Sequence, residues 1–177
     1  MIEALNSALI FILSLILIAL GFKLFDLLRK NEAPFVSSPE KLFNQIEKAL
    51  EIKSGEVVYD LGCGNAKFLR HCAENHPDSE FIGLETGTIP YALSKINTIR
   101  YKNVQIQYKD FNDIKIKNYS KVFVYLFPKG VGKIIDKLPN KYLLASLNFR
   151  AENKKPNKII TLKNSTSISR KLYIYKK

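Results

Sequence analysis

A charge-free apolar stretch from Ala4 to Phe22 opens the chain, and at about 19 residues, mostly Leu, Ile, Ala and Phe, it approaches the roughly 20 needed to cross hydrocarbon as a helix. The periodicity then changes. Ser38 suits an N-cap and Pro39 a first helical position, with Leu42, Ile46, Ala49 and Leu50 forming one apolar stripe as far as Glu51. Val57-Val58-Tyr59 runs into Asp60, a Gly62-Cys63-Gly64 turn follows, and Phe68, Leu69, Cys72 and Ala73 recur at helical spacing. This is strand, tight turn, helix. Glu80 to Glu85 reads as a second strand, and Thr88 as the cap of a helix whose inward face is Ile89, Ala92, Leu93, Ile96 and Ile99, with Pro90 tolerated in the first turn. Val104 to Tyr108 alternates as a strand and delivers Lys109, Asp110 and Phe111 to its end. Lys121 to Phe127 is a nearly continuous apolar run, the pattern of a parallel strand buried on both faces. A short helix from Gly130 to Leu138, a fifth strand from Tyr142 to Phe149, and an antiparallel pair made of Lys158 to Lys163 and Arg170 to Tyr175 complete the chain.

Strands alternating with helices predict an α/β domain with a mostly parallel sheet, trimmed because no helix fits after Phe149. Three segments are expected: an apolar anchor with its basic flank at 1–30, a linker at 31–38 made extended by Pro34 and Pro39, and the sheet domain at 39–177. Glu3 precedes the apolar run while Lys23, Arg29 and Lys30 follow it. A membrane span of that polarity puts the N-terminus outside and the domain on the cytoplasmic side. A cleavable signal peptide is the alternative, but it would carry basic residues before the apolar run.

Charge adds a second asymmetry. The net charge is +12, yet residues 31–99 carry roughly four net negative charges and residues 100–177 roughly fifteen net positive ones. Such a basic half suits an anionic lipid surface or a nucleic acid. Cys63 and Cys72 fall in a predicted loop and helix without partners at zinc-ligand spacing, and His71 and His76 lack the i, i+4 pairing of a metal-binding helix, so no metal site is expected.

The chemistry concentrates at the glycine turn. Its glycines let a ligand approach the backbone closely, and the first amides of the following helix face that ligand. A nicotinamide fingerprint would need a small residue in place of Lys67 and usually has no acid in place of Asp60. Glu85, at the end of the second strand and about 25 residues after Asp60, has the spacing of a ribose-binding carboxylate. Asp60-Leu61-Gly62-Cys63-Gly64-Asn65-Ala66 followed by Gly83-Leu84-Glu85 resembles the cofactor site of class I S-adenosylmethionine-dependent methyltransferases, with Ala66 where that family often has a third Gly. The resemblance implies a Rossmann-like methyltransferase sheet and S-adenosylmethionine as cofactor, held by Asp60, Gly62, Cys63, Gly64 and Glu85. It places Asp110 near the adenine and Phe111 against the ring.

The order of elements narrows the resemblance. An apolar segment, Pro34-Phe35-Val36 with Pro39, the glycine turn, Lys109-Asp110-Phe111 and a strand ending near Pro128 are similar to small membrane-anchored lysine methyltransferases of mitochondria and their prokaryotic relatives. Those enzymes act on adenine nucleotide translocase or ATP synthase subunit c. The expectation that follows is a membrane-anchored methyltransferase modifying a lysine of a membrane protein, with Phe35, Tyr125, Phe127 and Pro128 walling the acceptor slot. Methylation of RNA or a small molecule is the first alternative. A non-catalytic cofactor-binding membrane module is the second.

Overall fold

The computed structural model describes residues 2–29, 38–113, 115–163 and 170–177. The linker expected at 31–38 therefore lies, up to Ser37, outside the described residues, and Phe35, Val36 and Pro34 with it. The chain divides into two compact units, Met1–Glu32 and Ala33–Lys177.

The first unit is a single helix, α1, Ile2–Arg29. Its segment Asn6–Phe25 is long and apolar enough to cross a membrane, with a mean hydropathy of 2.6 over 20 residues. Side chains such as Ile10, Phe11 and Leu17 are exposed.

The second unit is built on a seven-stranded sheet in the order β3-β2-β1-β4-β5-β7-β6. Its strands are β1 Val57–Leu61, β2 Glu80–Glu85, β3 Val104–Tyr108, β4 Ser120–Val124, β5 Tyr142–Leu147, β6 Lys158–Leu162 and β7 Arg170–Lys176. The first five run parallel, and β7 pairs antiparallel with both β5 and β6. The order reverses at β1, which lies between β2 and β4. In open α/β sheets that switch point leaves a crevice beyond the carboxyl ends of the strands.

Helices α2 Phe43–Leu50 and α3 Lys67–Asn75 cover one face of the sheet, where Leu42, Ile46, Leu50, Phe68, Leu69 and Cys72 meet Val58, Phe81 and Phe123. Burying each large apolar side chain contributes about 1.5–3 kcal/mol. On the opposite face α5, Pro128–Lys137, sets Val131, Ile134 and Ile135 against Tyr59, Leu61, Val122 and Leu144. Glu47 on α2 ties the first layer together, accepting from His71 (2.7 Å), His76 (2.9 Å) and Asn75 (2.9 Å). The two histidines thus clasp α2 to α3.

Several boundaries differ from the sequence expectation. The first helix of the domain begins as a 3₁₀ turn, Glu40–Leu42, with Pro39 at the cap, so Ser38 does not cap it. Tyr125 to Phe127 leave β4 instead of extending it, and Pro128 opens α5 two residues early because its fixed φ suits a first helical position. The largest difference is α4, Thr88–Thr98. It buries Ser94 and Thr98 and turns Leu93, Ile96 and Ile99 outward, the reverse of the expected face. The hydroxyls of Ser94 and Thr98 bond back to Tyr91 O and Ser94 O within the helix, so these small side chains can be buried with their polarity satisfied.

Gly83 in β2 marks the tightest approach in the core. A Cβ there would stand 2.7 Å from Leu69 Cδ1 and 2.8 Å from both Cys63 Sγ and Ile106 Cδ1. Gly83→Ala is expected to destabilise the domain by about 1–3 kcal/mol through overpacking, read as a lower urea midpoint with unchanged slope.

Candidate functional site

The crevice forms where the sequence pattern places the glycine turn. Gly62 (φ 86°) and Gly64 (φ 58°) take left-handed conformations that let the chain reverse directly after β1. Gly62 N–H (2.8 Å) and Cys63 N–H (3.0 Å) both donate to Leu84 O, pinning the turn to β2. Ala66, at φ 60°, is also left-handed, so the residue standing where a third glycine is common carries strain as well as close packing.

Glu85 organises the loop. One carboxylate oxygen accepts from Gly64 N–H (2.9 Å), and the other from Thr86 N–H (2.8 Å) and Gly87 N–H (2.7 Å). A carboxylate has about four lone-pair sites, so one remains for a ligand hydroxyl. Glu85 therefore fastens the glycine turn.

Asp60 faces the crevice from below, only 4% exposed, and its carboxyl has no hydrogen-bond partner among the described residues. Burial, reinforced by the charge of Glu85, pushes its pKa up to about 8. A buried carboxyl that lacks a partner favours a cationic guest. Cys63 also borders the crevice, and burial raises its thiol well above the ordinary range, which disfavours a nucleophilic role.

Ser38, Phe43, Asn65, Lys67, Phe68, Phe123 and Tyr125 complete the lining. Lys67 Nζ bonds Glu40 (2.6 Å), drawing the 3₁₀ turn across one side. Asp110 and Phe111 lie at the end of β3 and do not line this crevice. Asp110 caps a short turn by accepting from Asn112 N–H (2.7 Å), and Phe111 packs toward the α5 face.

At the carboxyl end of β4, Tyr125 and Phe127 are joined by Phe149, whose ring centroid is 5.9 Å from the first and 5.2 Å from the second. Arg170 (3.0 Å) and Asn148 (3.2 Å) both donate to Tyr125 Oη. Phe127 remains 48% exposed, and Pro128 serves as the start of α5. Phe149, Asn148 and Arg170 were not foreseen from the sequence. The expected fifth strand simply ran through Phe149, and no spacing links Arg170 to a residue 45 positions earlier.

Comparisons with known proteins agree with this architecture. The model of a family described as "Putative methyltransferase" matches residues 54–130. Over 120 residues, 66% of this chain and 50% of the relative, the sequence is 28% identical to a tRNA (guanine-N(7)-)-methyltransferase of Mycoplasma pneumoniae. It is 29% identical over 52 residues to a protein-lysine N-methyltransferase of Saccharolobus islandicus, covering 29% of this chain and 32% of that one. The chain thus spans half or less of the length of these relatives. Among solved structures, an RNA methyltransferase of Salinibacter ruber in complex with S-adenosyl-L-homocysteine superposes with a TM-score of 0.70 at 18% identity, over 80% of this chain and 93% of that one. That likeness shows the fold.

Proposed function

We propose that this chain, which has a Rossmann-like methyltransferase fold, uses S-adenosylmethionine to methylate a ring nitrogen of an RNA base. The cofactor fits the residues present. Glu85 keeps one acceptor site for a ribose hydroxyl, the glycine turn admits close approach, and the partnerless Asp60 carboxyl suits the cationic methionyl end. When bound, S-adenosylmethionine supplies an activated methyl group that needs no covalent help from the protein.

One observation carries the choice of acceptor: the likeness over two thirds of the chain to a tRNA guanine-N7 methyltransferase. The chemistry is consistent with it. The lone pair of guanine N7 lies outside the aromatic system, so it can attack the methyl carbon directly while the carbon–sulfur pair returns to sulfur. The base becomes cationic and no proton has to move. The chain's task is alignment, which can supply most of the acceleration. Tyr125, Phe127 and Phe149 offer faces for stacking an unpaired base, and the basic half from Arg100 onward offers attraction to phosphates.

A second reading, methylation of a lysine in a membrane protein, is favoured by the apolar helix Asn6–Phe25 and by the shorter match to a lysine methyltransferase. In that case α1 would anchor the domain on the cytoplasmic side, and the amine would have to lose a proton before attack. Incubating the full chain with methyl-labelled S-adenosylmethionine, total RNA and membranes separates the two. Nuclease-sensitive label that falls steeply with salt supports RNA, whereas protease-sensitive, nuclease-resistant label overturns it.

The raised pKa of Asp60 gives a linked expectation. Below pH about 8 the empty site holds Asp60 protonated, and a cationic ligand favours its ionised form. Binding should therefore release a proton, and S-adenosylmethionine affinity should rise from pH 6 to about 8 and then level off. The sign for folding is opposite. The raised pKa makes the ligand-free domain lose stability as pH climbs toward 8. Calorimetry in buffers of different ionisation enthalpy measures the proton released, and Asp60→Asn should abolish the pH slope.

A further inference from the structure

The outward face of α4 is unusual because the helix has polar residues to spare and buries them. Ser94 and Thr98 are 0% and 5% exposed, whereas Leu93, Ile96 and Ile99 are 47%, 67% and 88% exposed. Tyr91 packs at a tilt against Tyr108 (ring centroids 5.2 Å apart) and Asn97 donates to Asn65 O (3.2 Å), which fixes the rotation of the helix and holds the apolar stripe in solvent. Around the stripe are exposed cations. Lys95 and Lys102 have no carboxylate partner among the described residues, and Arg100 lies 3.5 Å from Glu74, which also accepts from Tyr101.

We infer that this face of α4 docks on a bilayer of anionic lipid, with Leu93, Ile96 and Ile99 entering the headgroup region and Lys95, Arg100 and Lys102 among the phosphates. An apolar stripe flanked by cations is the composition of helices that lie in the membrane interface. Three residues at i, i+3 and i+6 span only about 9 Å of helix. Three side chains over so short a length cannot supply the roughly 800 Å² per partner that a stable protein interface buries, so a second copy is poorly suited. Leucine and isoleucine offer a nucleic acid neither a stacking surface nor a charge. The same chain also carries a helix long and apolar enough to cross a membrane, which makes a bilayer a surface it is equipped to meet. The inference is independent of the methyl acceptor.

The chain contains no tryptophan, so Ile96→Trp introduces a single reporter at an exposed site where folding is not at stake. The full chain would be reconstituted in vesicles of phosphatidylglycerol with phosphatidylcholine, and in vesicles of phosphatidylcholine alone. Docking predicts blue-shifted emission, quenched by brominated acyl chains, in the anionic vesicles. Both effects should be lost when Lys95→Glu and Lys102→Glu are added. Tyr119→Trp, at a site 64% exposed just before β4, should keep a water-like spectrum. A water-like spectrum for Ile96→Trp in anionic vesicles would overturn the inference. So would a blue shift that follows the protein-to-lipid ratio without bromine quenching, which would mean that a second copy covers the face, or one that appears only when RNA is added.

Discussion

Glu85→Ala is expected to weaken S-adenosylmethionine binding by about tenfold to a hundredfold, since a hydrogen bond to a charged group is worth about 1.5–3 kcal/mol and one acceptor site of Glu85 remains for a ribose hydroxyl. The structure adds a second reason. The same carboxylate holds Gly64, Thr86 and Gly87 through their amides, so its removal frees the loop that must close around the cofactor. The core clusters do not include Glu85, and the variant should stay folded by circular dichroism. Titration calorimetry checks it, and an affinity within about threefold of wild type (less than ~1 kcal/mol) would remove Glu85 from the site.

Phe123→Ala is expected to cost about 3–5 kcal/mol of folding stability, the range for emptying a buried aromatic site. Phe123 is 1% exposed in β4, its ring lies 4.4 Å from that of Phe68 on α3, and both line the crevice. One truncation therefore opens a cavity between sheet and helix and lowers the floor of the cofactor site. A urea titration would show the midpoint falling by a large fraction of its value, because the net stability of such domains is only about 5–15 kcal/mol. A change below about 1 kcal/mol would mean that the Phe68–Phe123 contact is not part of the packed core.

The sheet was legible in the sequence wherever apolar runs met turn residues. Val57 to Leu61, Glu80 to Glu85 and Val104 to Tyr108 are strands as expected, and the C-terminal antiparallel pair forms with β7 inserted beside β5. The glycine turn and Glu85 were legible because only certain residues can make that reversal and face a ligand from it. What the pattern could not show was orientation. The stripe Leu93, Ile96 and Ile99 has helical period whichever way the helix is rotated, and contacts made by Tyr91 and Asn97 with distant residues decide it. The acceptor edge was half legible. Tyr125, Phe127 and Pro128 follow from the end of one strand, but Phe149 comes from the turn after β5 and Arg170 from β7, whose adjacency depends on sheet order. Asp110 accepts from Asn112 N–H in a short turn and Phe111 packs toward the α5 face, local contacts that spacing does not reveal.

Hydrogen exchange with and without S-adenosyl-L-homocysteine tests the account most directly, because a bound cofactor would lie against the glycine turn and the Glu85 loop and hold their internal hydrogen bonds closed. Slowed exchange centred on residues 61–66 and 85–88, at the carboxyl ends of β1 and β2, is the predicted result, with no such pattern on adding a nicotinamide dinucleotide. Protection only elsewhere in the sheet domain, or none at saturating ligand, would contradict the cofactor site and the function built on it.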